Sequence, residues 1–131
     1  MEELFIMVRK TVFAILMILA VALSSILSSA EQPKLAQVVY ITLTKVCGCI
    51  LERCQAGDIA VGNVFNGTKQ NLLKRIDYST DKDTAKVYIK QYRVTQAPAL
   101  LFLDAQGNLL WMAVGELNEQ EIAAQLGQFG M

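Results

Sequence analysis

Residues 96–115 read QAPALLFLDAQGNLLWMAVG. Pro98 suits neither a helix interior nor a central strand, so it marks a turn. ALLFLD, 99–104, is an apolar run of strand length. AQGN, 105–108, is a hairpin turn around Gly107, and LLWMAV, 109–114, is the returning strand, which Gly115 breaks. Strand periodicity leads us to expect Trp111 and Met112 to face core and solvent alternately.

On the C-terminal side, Asn118 can cap a last helix, EQEIAAQLGQF, with Glu119 and Glu121 in the first turn, where negative charge is favoured. On the N-terminal side, Thr84 to Tyr92 places Ala85, Tyr88, Ile89 and Tyr92 on one helical face, with N-cap candidates over 79–83. LLKRID, 72–77, reads as a strand, as does the β-rich VVYITLT, 38–44. Between them, Ile50, Cys54, Val61 and Phe65 recur at helical spacing until Asn66-Gly67 stops the pattern. Asn66-Gly67-Thr68 also fits a glycosylation acceptor, although a helix-ending turn explains it equally well. Gly57 and Gly62 weaken this helix, and close packing against the sheet is one reason to keep them.

The order is therefore β-α-β-α-β-β-α. Strands joined through helices should run parallel and the hairpin antiparallel. The fold class is α/β, a mixed sheet with helices on both faces, spanning 38–131. EQPKLAQ, 31–37, is a linker. Ahead of it, Arg9 and Lys10 precede VFAILMILAVAL, 12–23, and small residues follow at Ser28 and Ala30. That is the layout of a secretory signal, and Leu4–Val8 with Ile26 and Leu27 leaves an uncleaved membrane anchor open. Either reading exports the rest of the chain.

The chain has 131 residues, 12 basic and 12 acidic, and no His. Neutrality argues against nucleic-acid binding, which needs a basic stripe. Membrane contact would come from residues 1–30 alone. Without His, a Ser-His-Asp or Cys-His hydrolase is excluded, as are His-bearing zinc sites. Three Cys are too few for a disulfide scaffold or a four-thiolate metal site within the chain.

Cys47 and Cys49 flank Gly48 at a strand-to-helix junction, where unpaired helix N–H groups favour a thiolate; Lys45 could add to this. Cys54 falls on the apolar stripe, as a buried inert thiol or as a third redox or metal-binding one. If the helix starts right after the motif, Cys47 and Cys54 are separated by roughly 10.5 Å of helix, beyond the roughly 7 Å limit for a disulfide. Cys49 and Cys54 are about 7.5 Å apart along the axis and point about 140° apart. Cys47 and Cys49 can bridge only if Cys47 lies outside the helix, with Gly48 supplying backbone freedom. An unwound first turn would instead let Cys47, Cys49 and Cys54 converge on a soft metal such as Cu(I).

The element order resembles the thioredoxin fold over roughly residues 37–127. The stretches that carry it are Ile76-Asp77, Tyr92-Arg93-Val94, Gln96-Ala97-Pro98-Ala99, Leu100–Leu103, Gln106-Gly107 and Val114-Gly115. The resemblance implies that Pro98 is the family's cis-proline beside the active disulfide, with the Ala97 backbone available to pair with an extended substrate. It implies that Cys47 is the attacking thiol and Cys49 the resolving one. The family's Trp-Cys-Gly-Pro-Cys is here Val46-Cys47-Gly48-Cys49, one residue shorter, without the Trp or the Pro. Ile41 lies about where many thioredoxins keep a buried acid.

The function this implies is an exported thiol–disulfide oxidoreductase without a bound cofactor. Its expected partners are cysteine-containing exported proteins and a membrane redox partner. The alternatives are a Cu(I)-type thiolate module using Cys47, Cys49 and Cys54, and a redox-inert interaction domain.

Overall fold

The computed structural model describes residues 2–23 and 31–131, which fall into two compact units, 1–32 and 33–131. In the first, helix α1 covers Glu2–Leu23. The Thr11 hydroxyl donates to the carbonyl of Met7, at 2.9 Å, or of Val8, at 3.0 Å. Leu4, Phe5, Met7, Phe13 and Leu16 are exposed. Among the described residues, no helix is long and apolar enough to cross a membrane, so the membrane-anchor expectation gains no support. The expected cleavage site at Ser28 and Ala30 lies outside the described residues.

The second unit runs β1 (Gln37–Thr42), α2 (Gly48–Val64), a 3-10 segment (Gly67–Leu72), β2 (Leu73–Asp77), α3 (Lys82–Tyr92), β3 (Ala99–Leu103), β4 (Leu109–Val114) and α4 (Glu119–Gln128). Strand order is β2-β1-β3-β4. β1 and β2 are parallel, with Ile41 opposite Ile76, while β1–β3 and β3–β4 are antiparallel. The strands alternate their side chains, so each face is buried by different helices. Val38, Tyr40, Leu100 and Phe102 pack under α2 and α4 with Val61, Phe65, Ile122 and Leu126. Val39, Ile41, Leu101 and Leu103 pack under α3 with Ala85, Tyr88 and Ile89.

Several boundaries differ from the sequence reading for local reasons. Leu43 and Thr44 leave the first strand, because β2 ends its ladder opposite Thr42. Asp104 belongs to the hairpin turn rather than to β3. Its carboxylate accepts from the backbone N–H groups of Gln106 and Asn108, and Gly107 adopts φ +81°. Met112 does not face solvent: it packs on the α3 side, while Trp111 packs on the other, 5.0 Å from Phe102 between ring centroids. Asp81 caps α3 by accepting from Thr84 N–H, and Asn118 caps α4 by accepting from Glu121 N–H. Gly67 has φ +58° and turns the chain beyond α2.

The two helical glycines separate cleanly. A Cβ on Gly57 would stand 3.0 Å from Pro98 Cγ and 3.0 Å from the Tyr40 hydroxyl, whereas one on Gly62 would meet nothing within 4 Å. Gly62→Ala is expected to raise stability by about 0.5–1 kcal/mol through helix propensity. Gly57→Ala gains the same propensity but overpacks a rigid buried ring, an effect of about 1–3 kcal/mol, so it is expected to lower stability. Paired chemical denaturation curves check the opposite signs. Equal shifts in the two variants would remove the packing explanation for Gly57.

Candidate functional site at the β1–α2 junction

Beyond Thr42 the chain leaves the sheet, and Leu43–Val46 lead to Cys47. Cys47 is the N-cap residue of α2, with φ −59° and ψ 153°, outside the helix. Its carbonyl accepts the first helical bond, from Leu51 N–H at 3.0 Å. Cys49 lies in the first turn, and both residues are exposed. Cys47 thus meets one condition for a Cys47–Cys49 bridge, a place outside the helix. Cys54 is buried, 1% exposed, on the inner face of α2.

The three thiols do not converge. Among the described residues no group of three His, Cys, Asp or Glu could hold a metal ion. The first turn of α2 is not unwound, so the condition for Cys54 to join Cys47 and Cys49 on a soft metal is not met here. A regular helix begins at Gly48, so Cys54 turns inward about nine ångströms down the axis from it.

The loop before Cys47 is tied to the carboxyl end of β2. Ser79 Oγ accepts from Thr44 N–H at 3.1 Å and from Lys45 N–H at 2.9 Å. Asp77 accepts from the Thr44 hydroxyl and, at 2.9 Å, from Ser79 N–H. Partial desolvation works against the Asp77 charge, but these hydrogen bonds outweigh it and hold its pKa below the ordinary carboxylate value.

Beneath α2 lies a polar cluster that the sequence reading missed. Tyr40 donates to Asp58 Oδ1 at 2.7 Å, and its hydroxyl is 3.2 Å from the Cys54 carbonyl. Thr42 Oγ1 lies 3.4 Å from the same Asp58 oxygen, and Arg75 pairs with Asp58 Oδ2 at 3.1 Å. Ile41, which lies about where many thioredoxins keep a buried acid, packs in the α3 layer, and the carboxylate beneath α2 is Asp58, supplied by the helix itself. The available signal was its spacing, four residues beyond Cys54 on the same apolar stripe.

Burial, reinforced by Asp58, pushes the Tyr40 phenol above its ordinary value despite opposing effects of Thr42 and Arg75. A folded pKa raised above the unfolded value of about 10 means that Tyr40 stabilises the fold below that pH and loses this contribution as pH rises further. Tyr40→Phe is expected to cost about 1.5–3 kcal/mol at neutral pH, through the lost bond to a charged acceptor. It should also flatten the loss of stability above about pH 10. Denaturation midpoints from pH 7 to 11 check both; an unchanged alkaline slope would contradict the assignment.

The Ala97–Pro98 peptide is cis. Pro98 is buried, meets α2 at Gly57, and accepts from Gly115 N–H at 2.8 Å. Gly57 is nine residues beyond Gly48, about 13 Å along the helix at 1.5 Å per residue. The structure thus brings Pro98 to the middle of α2, and the expectation that it borders Cys47 and Cys49 gains no support. Ala97 instead lines an apolar groove with Ile41, Leu43, Tyr78, Ile89 and Val94. Cys49 lines a second groove, with Glu52, Arg53 and Ala56 of α2 and with Gly115, Glu116 and Leu117.

No known family model and no curated protein matches the chain. Among solved structures it is similar to the C-terminal domain of DsbD from Neisseria meningitidis in the reduced form. That likeness has 16% identity over 83% of this chain and 95% of that one, with a TM-score of 0.54. The oxidised form of the same domain matches with 15% identity over 83% and 94%, at a TM-score of 0.51. Thioredoxin O2 from Arabidopsis thaliana, in its oxidised state, matches with 21% identity over 82% and 86%, at 0.51. Identities this low speak for architecture, and they agree with the strand order, the parallel β1–β2 pair and the C-terminal hairpin. The chain has a thioredoxin-like fold.

Proposed function

We propose that the chain is an exported thiol–disulfide oxidoreductase acting on cysteines of other extracytoplasmic proteins. The observation that carries this reading is the pair of exposed thiols at the start of α2, one just outside the helix and one in its first turn. The Cys47 thiolate attacks a substrate disulfide, forming a mixed disulfide and releasing one substrate thiolate. The Cys49 thiolate then attacks the Cys47 sulfur, forming Cys47–Cys49 and releasing the second substrate thiol. Two electrons pass to the substrate, and a dithiol substrate runs the same steps in reverse. The basic pair Arg9-Lys10 ahead of an apolar run supports export, to a compartment where disulfides persist. Ala97 precedes the first paired residue of β3 and lines the apolar groove, which suits an extended substrate segment lying alongside it, with Pro98 fixing the turn.

The experiment is alkylation and mass mapping of the oxidised protein, with fractionation of the cells that make it. The expected result is a Cys47–Cys49 disulfide, a free Cys54, and a domain on the oxidising side of the membrane. A disulfide to Cys54, or full-length protein in the cytosol, would overturn the corresponding part.

A further inference from the structure

We infer that Ser79 and Asp77 are positioning residues for Cys47, acting as a clamp on the loop that delivers it. The inference rests on the oxidoreductase reading and adds to it the element that holds the attacking thiol in place. Thr44 and Lys45 are exposed, and an exposed loop without partners samples many conformations. Here two consecutive loop N–H groups, of Thr44 and Lys45, converge on one oxygen, Ser79 Oγ, at 3.1 and 2.9 Å. Lys45 is two residues from Cys47, and Ser79 lies 35 and 34 positions along the chain from the two amides it holds.

The clamp is itself held. Asp77 ends β2 and is paired in register with Thr42. Tyr78 N–H continues that ladder, donating to Thr42 carbonyl oxygen at 2.9 Å. One Asp77 oxygen accepts Ser79 N–H, which fixes the serine, and the other accepts the Thr44 hydroxyl, which fixes the loop a second time. The Asp77 carboxylate is favoured in its charged form, so it accepts from both donors at neutral pH. A rigid strand end therefore determines where the segment before Cys47 sits. Nucleophiles depend on such placement, since a displacement of about 1 Å can cost on the order of 100-fold in rate. The role belongs to backbone positioning, because the contacts reach the loop amides and leave the thiol free for substrate.

The test uses the full chain with Ser79→Ala and Ser79→Thr. Three quantities are read: hydrogen exchange of the Thr44 and Lys45 amides, alkylation of Cys47 by iodoacetamide, and disulfide exchange with a small aromatic disulfide. Ser79→Ala is expected to speed exchange of both amides at least about tenfold and to slow disulfide exchange about tenfold. Ser79→Thr keeps the hydroxyl oxygen and is expected to restore both. If the wild-type chain exchanges disulfides and Ser79→Ala matches it in rate and amide protection, the clamp is overturned. If Ser79→Ala lowers the unfolding midpoint and Ser79→Thr restores none of the loop readouts, the residue is merely structural and the inference falls. If the wild-type chain exchanges no disulfides, yet Ser79→Ala frees the amides and changes Cys47 alkylation, the clamp stands and the oxidoreductase reading fails.

Discussion

Cys47→Ser is expected to reduce disulfide exchange by on the order of 1000-fold, because the proposed attack needs a thiolate and a serine hydroxyl cannot replace it. Cys49→Ser should behave differently. On the proposed mechanism it leaves the attacking thiol in place and removes the group that resolves the mixed disulfide, so substrate is expected to accumulate covalently bound to Cys47. Cys54→Ser puts a hydroxyl into a buried position on the inner face of α2 and should alter stability more than exchange. The three variants thus separate by kind of defect: no capture, capture without release, and normal chemistry in a weaker fold. Stopped-flow exchange and mass spectrometry of trapped complexes distinguish them. Equal exchange in wild type and Cys47→Ser would assign attack to another thiol, and trapping in Cys47→Ser would assign it to Cys49.

The legibility of this molecule divides along physical lines. The hairpin was plain because Pro98, Gly107 and Gly115 punctuate two apolar runs of strand length, of which β3 is fully buried and β4 partly so. Helices α3 and α4 were plain because their apolar positions and caps fall in the expected places, with Asp81 and Asn118 capping them. The position of Cys47 outside the helix was anticipated as a condition for bridging. What the sequence did not expose are the contacts between distant segments. Asp58 reads as an ordinary helical acid until Tyr40, Thr42 and Arg75 are brought around it. Ser79 reads as one of several cap candidates, yet Asp81 caps α3 and Ser79 faces the loop before Cys47 instead. Tyr40 and Ile41 illustrate the strand rule, since adjacent residues face opposite layers and only Tyr40 reaches Asp58.

Pro98 carries the same lesson in another form. Its place at the head of the hairpin was legible, but its partner across the layer was not. The glycine that admits it, Gly57, interrupts a helix for reasons visible only when the ring is seen against it. Propensity alone would replace both Gly57 and Gly62 with alanine, whereas packing accepts only the second change.

Phe102→Ala is expected to produce the largest loss of stability, about 3–5 kcal/mol. Phe102 is fully buried on β3, facing the α2–α4 layer. Its ring meets Trp111 at 5.0 Å, Phe129 at 6.1 Å and Phe65 at 6.3 Å between centroids, all edge-on. Those neighbours come from β4, the end of α4 and the end of α2, so truncation opens a cavity where three elements meet and cannot close together. A domain of this size holds about 5–15 kcal/mol in total, so the variant should stand close to unfolding. Phe102→Leu keeps most of the volume and should cost less, about 1.5 kcal/mol or below. Trp111, the sole tryptophan, lies against the substituted ring and reports the transition by fluorescence in urea. The same pair of variants separates the scaffold from the chemistry. Phe102 contributes to the layer that supports α2, whereas the Cys47 loop is held through Asp77 and Ser79, so folded Phe102→Leu is expected to exchange disulfides at close to the wild-type rate. A large loss of exchange in folded Phe102→Leu would mean that core packing, as well as the β2 clamp, sets the position of Cys47.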